Sequence, residues 1–157
     1  KLSRKLKDFL KHFGLQIYLE PGESSITNCS ELVCRIIDIV KNKVNIAIVD
    51  ASTEAHMLDL LIYRLSAKIA VPQTGGKHRY IIAGRSCLAG DIFGTHKFVE
   101  KLKIGDELHF ADTAGYTMVK KNWFNGLPMP SIVVKRLDGT LQIVKKFSYA
   151  HFKNALG

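Results

Sequence analysis

The sequence has few cysteines and no long apolar run, and each absence excludes a class of protein. Its three cysteines are an odd number without a C-x-x-C spacing, so neither a disulfide framework nor a zinc site can be read from them. Charged residues interrupt every apolar stretch before the roughly 20 residues that a membrane-spanning helix needs. We therefore expect a protein of the reducing, cytoplasmic compartment, without a membrane segment and without a metal site.

The chain also lacks an initial methionine, because it starts at Lys1, and no signal-peptide pattern follows. Its 157 residues, 46% of them hydrophobic, are enough for one domain with a real core, or for one domain and part of another. We expect a piece of a longer protein rather than a disordered tail or a linker.

Acidic side chains are scarce relative to basic ones, which gives a net charge of +9. Residues 1–12 contain five basic side chains and one acid, and the remaining excess is spread thinly. A basic stripe interleaved with aromatic residues would indicate binding to single-stranded nucleic acid, but most aromatic residues here belong to apolar patterns. The charge favours a solvated basic surface and no nucleic-acid partner. An RNA-binding basic β module remains an alternative.

The first 25 residues have the pattern of a β/α unit. Leucine and phenylalanine recur at helical spacing over residues 1–13, and Gly14 is a typical helix stop. Residues 15–19 (L-Q-I-Y-L) then predict a short buried strand, which ends at the E-P-G-E turn of residues 20–23. In β/α barrels, catalytic groups gather at the carboxyl ends of the strands.

The rest of the chain has the pattern of a β domain. Runs rich in Ile and Val at 32–40 and 44–50 favour a hairpin, and 80–83, 107–110 and 116–119 predict further strands. A second hairpin is indicated by Asp138-Gly139, between two apolar runs. The last predicted element is a short helix over residues 149–156. Many short strands between turn residues are typical of a closed or sandwiched β domain.

Three clusters could carry chemistry. Glu20 and Glu23 could bind a cation, pair with a protonated ring nitrogen, or cap the turn. Cys87 lies in a loop bracketed by Gly84 and Gly90, which favours an accessible thiol. The hydroxyl of Tyr116, beside a glycine turn, could donate to a phosphate.

Five motifs carry a family resemblance, in this order: E-P-G-E at 20–23, A-H-M-L-D at 55–59, S-C-L-A-G-D at 86–91, Y-T-M-V-K at 116–120 and F-N-G at 124–126. Together they resemble the C-terminal half of the carboxynorspermidine (carboxyspermidine) decarboxylases. These enzymes belong to the fold-type III pyridoxal-phosphate decarboxylases, with the ornithine and diaminopimelate decarboxylases.

The resemblance implies that residues 1–25 are the last helix and strand of a cofactor-binding (β/α)8 barrel and that 26–157 form the C-terminal β domain. It also implies that the cofactor lysine and a glycine-rich phosphate loop lie in the N-terminal barrel, outside these 157 residues. Two departures stand out. Arg85 replaces the usual proline before Ser-Cys, and no lysine of this chain matches the cofactor lysine.

The resemblance implies roles for six residues. Glu20, Gly22 and Tyr116 would contact pyridoxal 5'-phosphate, Glu20 at the ring nitrogen and Tyr116 at the phosphate. Cys87 would return a proton to the substrate's Cα after CO₂ leaves, because a thiol is mostly protonated near neutral pH.

Glu23 and Asp59 would hold the cationic amines of a polyamine substrate. The implied reaction converts carboxynorspermidine or carboxyspermidine to norspermidine or spermidine. The alternative within the family is an ornithine- or diaminopimelate-type decarboxylase. The implied partner is a second copy, in a homodimer with shared active sites. Cys87 and Asp59 would project into the partner's site, while Glu20 and Tyr116 serve their own.

Overall fold

The computed structural model describes residues 1–71 and 73–157 and is mostly β. Its strands are β1 (Glu31–Asn42), β2 (Val44–Val49), β3 (His78–Ala83), β4 (Ile92–Phe98), β5 (Glu107–Ala111), β6 (Ile132–Lys135) and β7 (Leu141–Lys145). Its α-helices are α1 (Leu2–Phe13), α2 (Thr53–His56), α3 (Asp59–Tyr63), α4 (Tyr116–Lys120) and α5 (Tyr149–Ala155), with 3₁₀ turns at Glu23–Ser25 and Phe124–Gly126.

Five strands form one sheet in the order β4-β3-β2-β1-β5. The predicted hairpin is confirmed: β1 and β2 are antiparallel and turn tightly at Lys43, whose φ is 58°. β2 and β3 are the parallel pair, and α2 and α3 lie in the connection between them. The antiparallel strands β4 and β5 pair with β3 and β1 and form the two outer positions.

The sheet is curled, so that side chains of its two outer strands come into contact. Phe93 of β4 and Phe110 of β5 stack with their ring centroids 4.7 Å apart, although they lie on opposite edges of the sheet. Residues 67–70 bridge the remaining gap. The Ala67 N–H donates to the Phe93 carbonyl (2.7 Å), the Ala70 N–H donates to His109, and Lys68 accepts from Ala111. We call residues 67–70 the bridging segment.

The core lies inside this curl. Phe93, Phe110, Ile36, Ile82 and Val49 are essentially inaccessible to solvent. β1 alternates between buried and exposed positions from Glu31 to Ile36, the pattern that a strand with one face on a core produces.

The segments on either side of the sheet, residues 1–30 and 112–157, are here called the two flanks, and they differ from the expectations at two places. α1 and its αL cap at Gly14 are confirmed, with φ 62° at the glycine. The predicted strand at 15–19 is wrong: these residues have no regular structure, because no described strand lies beside them to accept their hydrogen bonds.

The predicted strand at 116–119 is also wrong, because these residues form the single helical turn of α4. The β6–β7 hairpin around Gly139 and the final helix are confirmed. The division between residues 25 and 26 stays a prediction. None of the described helices is long and apolar enough to cross a bilayer.

Candidate functional site

A cleft of about 230 Å³ brings together three of the six predicted site residues. Glu23 comes from the 3₁₀ turn after Gly22, Asp59 begins α3, and Tyr116 begins α4. The bridging segment and the end of β5 complete the walls. We call this the acidic cleft, because Glu23, Asp59 and Asp112 all line it.

Two lysines neutralise two of these acids. Lys120 Nζ lies 2.5 Å from Asp59 Oδ1, and Lys68 Nζ lies 2.9 Å from Asp112 Oδ2. The hydrogen bond to Asp59 raises the pKa of Lys120, and the hydrogen bond to Asp112 raises that of Lys68. Among the described residues, Glu23 has no ion-pair partner within 4.0 Å.

Glu20 and Gly22 form the turn that leads into the cleft. The Gly22 N–H donates to the Glu20 carbonyl (2.8 Å), and the Ser25 N–H and hydroxyl both donate to the Gly22 carbonyl. The E-P-G-E motif is therefore a turn, as predicted. Both residues are exposed, and neither lines the acidic cleft.

Cys87 is exposed in the loop between β3 and β4, whereas Cys34 on β1 is buried, as the loop position predicts. The buried carboxylate of Asp91 holds this loop in place. Asp91 Oδ1 accepts from the Thr53 N–H (2.7 Å) and hydroxyl (2.8 Å), and Oδ2 accepts from the N–H (3.0 Å) and hydroxyl (2.6 Å) of Ser86. Asp91 thus anchors the Cys87 loop.

The same carboxylate needs a glycine beside it. A Cβ on Gly84 would overlap the Asp91 carboxylate, so only a hydrogen atom at this position leaves room. Burial alone would raise the pKa of Asp91, but the hydrogen bonds from Ser86 and Thr53 outweigh it and hold the pKa below its usual value. Asp91 therefore stays ionised and ties the Cys87 loop to the start of α2.

A second contact holds Cys87 from the side of the F-N-G motif. The Cys87 N–H donates to Asn125 Oδ1 (2.8 Å), and Asn125 adopts φ 56° within its 3₁₀ turn. Upstream, Asn122 Nδ2 donates to the Glu54 carbonyl of α2 (2.9 Å). Sequence reasoning singled out the motifs of Ser86 and Asn125 but not these contacts, because each joins segments distant in the chain.

His56 of the A-H-M-L-D motif is a structural histidine. Its Nδ1 accepts from the Ser52 N–H (3.1 Å), so its proton lies on Nε2, which faces the Pro128 carbonyl at 3.2 Å. Burial lowers the pKa of His56 and keeps the ring neutral. In residues 1–71 and 73–157, His, Cys, Asp and Glu form no group of three or more that could hold a metal ion.

A larger cleft of about 440 Å³ lies between the end of β4 and β5. It is lined by residues 98–102 and 106–109, with Ile69, Val71 and Gln73. It contains none of the six predicted site residues.

Comparison with known families identifies the sheet domain. Residues 19–114 match the model for the C-terminal sheet domain of pyridoxal-dependent decarboxylases. The matched range runs from the E-P-G-E turn to the end of the β1–β5 sheet, and it includes Asp59 and the Cys87 loop.

Individual relatives agree with the family match. The chain is 49% identical, over 97% of its length, to a carboxynorspermidine/carboxyspermidine decarboxylase of Herminiimonas arsenicoxydans, and 37% identical, over 94%, to a carboxyaminopropylagmatine decarboxylase of Synechocystis sp.. The crystal structure of carboxynorspermidine decarboxylase from Campylobacter jejuni, complexed with norspermidine, superposes with a TM-score of 0.83 at 34% identity. That superposition covers 95% of this chain and 44% of the other.

The chain spans about two fifths of the length of the curated relatives, 41% and 39% for these two. The match to the family model covers more than half of the chain, and the relatives match nearly all of it. This chain therefore belongs to the pyridoxal-dependent decarboxylases, and it contains their C-terminal sheet domain.

Proposed function

We propose that the complete protein is a pyridoxal-phosphate-dependent decarboxylase that converts carboxynorspermidine or carboxyspermidine to norspermidine or spermidine and CO₂. The observation that carries this proposal is the acidic cleft, in which Glu23, Asp59 and Tyr116 converge in a chain 49% identical to an enzyme of that name. Carboxylates suit the ammonium groups of a polyamine, and a phenol suits a phosphate.

The donor set fits pyridoxal phosphate. In the described part of the chain, the Tyr116 hydroxyl makes no hydrogen bond, and its half-exposed side chain borders the cleft, so it is free to donate to a phosphate oxygen. Glu20 is exposed at the turn, where a carboxylate can hold the proton on a ring nitrogen by favouring the cation. Pyridoxal phosphate that is held by Tyr116 and Glu20 would supply the electron sink for the electron pair left by CO₂. The cofactor lysine is expected outside these 157 residues.

Glu23 and Asp59 are proposed to hold the substrate's amines. A long dication that is held by two spaced carboxylates is distinguished from shorter analogues, because a shorter molecule leaves one acid unpaired. Asp59 and Tyr116 line the same cleft of one chain, which supports a common site in which Asp59 holds the substrate and Tyr116 the cofactor phosphate, in place of the expectation that they serve different subunits.

Cys87 is proposed to protonate the substrate's Cα. It is not among the residues that line the acidic cleft, and its loop is exposed and rigidly held, which supports action on the site of a second copy in a homodimer. The proposed active site thus combines the acidic cleft of one subunit with the Cys87 loop of the other.

The test is the release of CO₂ by the complete protein with pyridoxal phosphate. The substrates compared are carboxynorspermidine, carboxyspermidine, carboxyaminopropylagmatine, ornithine and diaminopimelate. We expect the highest kcat/KM for one of the first two. Preference for ornithine or diaminopimelate, or no decarboxylation of any, would contradict the proposal.

A pair of cysteine variants tests the proton donor. Cys87→Ala in the complete enzyme should lower kcat and cause pyridoxamine phosphate to accumulate with turnover, because the proton then reaches the wrong carbon. Cys29→Ala, the other exposed thiol, is the matched control and should do neither. Normal kcat without this by-product in Cys87→Ala would remove the role. Partial recovery of activity in heterodimers of Cys87→Ala and a cofactor-lysine variant would support shared sites.

A further inference from the structure

The ion pair between Lys120 and Asp59 occupies the carboxylate that the proposed substrate needs. Lys120 is the last residue of α4 and Asp59 the first of α3, 61 positions apart in the chain. Their side chains are only 31% and 25% exposed, and Lys120 Nζ also lies 4.9 Å from the centroid of the Tyr116 ring. The Lys120 ammonium group therefore sits between two of the residues assigned to substrate and cofactor.

The other acids of the cleft are not equivalent to Asp59. Asp112 is held twice, by Lys68 and by the Asn28 N–H (2.8 Å), and its side chain is 18% exposed. These hydrogen bonds lower its pKa. Glu23 is exposed and lacks an ion-pair partner in the described residues. The cleft thus offers two different carboxylates. Glu23 is open to a ligand, whereas Asp59 is paired with a single flexible lysine, Lys120.

Resting on the proposed function, we infer that Lys120 is a specificity-determining residue that neutralises Asp59 until a substrate ammonium group displaces it. A half-buried carboxylate without a counter-ion is costly, and Lys120 removes that cost in the free enzyme. Displacement exchanges one ammonium for another, so it adds little affinity by itself.

The exchange selects for long polyamines. Lys120 is tethered beside Asp59, and tethered groups reach effective concentrations in the millimolar range, so a dilute small amine competes poorly. A polyamine that Glu23 already holds is also tethered, and its second ammonium group competes on equal terms. A molecule too short to reach from Glu23 to Asp59 leaves Lys120 in place.

The experiment measures binding and turnover in the complete enzyme with its cofactor. Lys120→Gln should lower the KM for carboxynorspermidine and the Kd for norspermidine, measured by calorimetry, by about two- to fivefold, the range of a partly exposed ion pair. The affinity ratio of norspermidine to 1,3-diaminopropane should fall, since the short diamine no longer competes with Lys120.

Two controls isolate the pair. Lys121→Gln removes the same charge one position away, where Nζ donates to the Met118 carbonyl, and should leave Kd unchanged. Lys120→Arg retains a cation and should behave as the unmodified enzyme. In an Asp59→Asn background, Lys120→Gln should have no effect on Kd, because there is no longer a carboxylate to release.

Three results would overturn the inference. They are a weakened Kd in Lys120→Gln, an equal change in the Asp59→Asn background, and an unchanged Kd in Lys120→Gln, which together with a lower Tm would make the pair purely structural. Norspermidine binding is measured without turnover, so these outcomes remain distinct from a failure of the proposed decarboxylation.

Discussion

The curled sheet and the two flanks of the chain contain the same kinds of apolar side chain but bury them to very different extents. Phe93 and Phe110 in the sheet are fully buried, whereas Phe9 and Phe13 on α1 are 47% and 55% exposed. Neither α1 nor the β6–β7 hairpin contains a buried residue.

This difference shows which part of the chain contributes most to its stability. Burial of apolar area is the main favourable contribution to folding, so residues 31–111 provide most of it. The flanks have regular structure with an uncovered apolar face, and they contribute little. The acidic cleft lies at the border, with walls from both the sheet and its flanks.

The largest effect is expected from a cavity inside the curl. Phe110→Ala should lower the free energy of unfolding in urea by about 3–5 kcal/mol, because the ring leaves a space that the stacked Phe93 cannot fill. Phe13→Ala on α1 is the matched control and should change it by about 0.5 kcal/mol or less. Similar losses in both variants would show that the flank is packed as well as the sheet.

A smaller loss is expected at the anchor of the Cys87 loop. Gly84→Ala places a methyl group on the Asp91 carboxylate and should cost about 3 kcal/mol. Gly90→Ala, in the same loop at φ 93° but with open space around it, should cost only about 1–2 kcal/mol of backbone strain. If the order of the two losses in urea unfolding were reversed, the Asp91 contact would not be the constraint.

The charge of Asp91 should contribute somewhat less. Asp91→Asn replaces an acceptor by a donor opposite Thr53 or Ser86 and should cost about 2–3 kcal/mol at pH 7. Asp8→Asn on the exposed face of α1 is the control and should have no measurable effect on unfolding.

Because the folded pKa of Asp91 is depressed, its contribution is present above the unfolded value of about 3.9 and is lost as pH falls through the folded one. The unmodified chain and Asp91→Asn should therefore differ in their free energy of unfolding at pH 7, and the difference should disappear as the pH falls below the depressed folded pKa of Asp91. A difference that persists at low pH would contradict the role of the charge.

The last prediction compares the reaction rates of the three thiols and involves no change in stability. Burial, with a smaller effect from Asp50, raises the pKa of Cys34 to about 12, while Cys29 and Cys87 are exposed. At pH 8, two thiols should react rapidly with a disulfide reagent, and the third should react on the order of 10³-fold more slowly until urea unfolds the sheet. Rapid reaction of all three thiols in the folded chain would show that Cys34 lies outside the core.

Sequence patterns predicted the elements that local signals define. Period-3.6 spacing with Gly14 predicted α1, and the runs of Ile and Val predicted the β1–β2 hairpin. β4 was not predicted, since Gly94, His96 and Lys97 interrupt its apolar residues. The strand assigned to 116–119 failed because Tyr, Thr and Val favour strands only where a neighbour pairs with them.

The residue types that line the candidate site were predicted from the sequence, but the contacts between them were not. The motifs identified Glu23, Asp59 and Tyr116, which the fold brings into one cleft. The Lys120–Asp59 pair joins positions 61 apart, and only the packing of α3 near α4 brings them together. Which carboxylate is open and which is closed is therefore a property of the fold.

The bridging segment, which joins Phe93 to His109 and Ala111 through three backbone hydrogen bonds, also affects how the domain assembles. An outer strand with free N–H and C=O groups is a template for another chain, and residues 67–70 cover such groups on both β4 and β5. The curl therefore limits edge-to-edge aggregation.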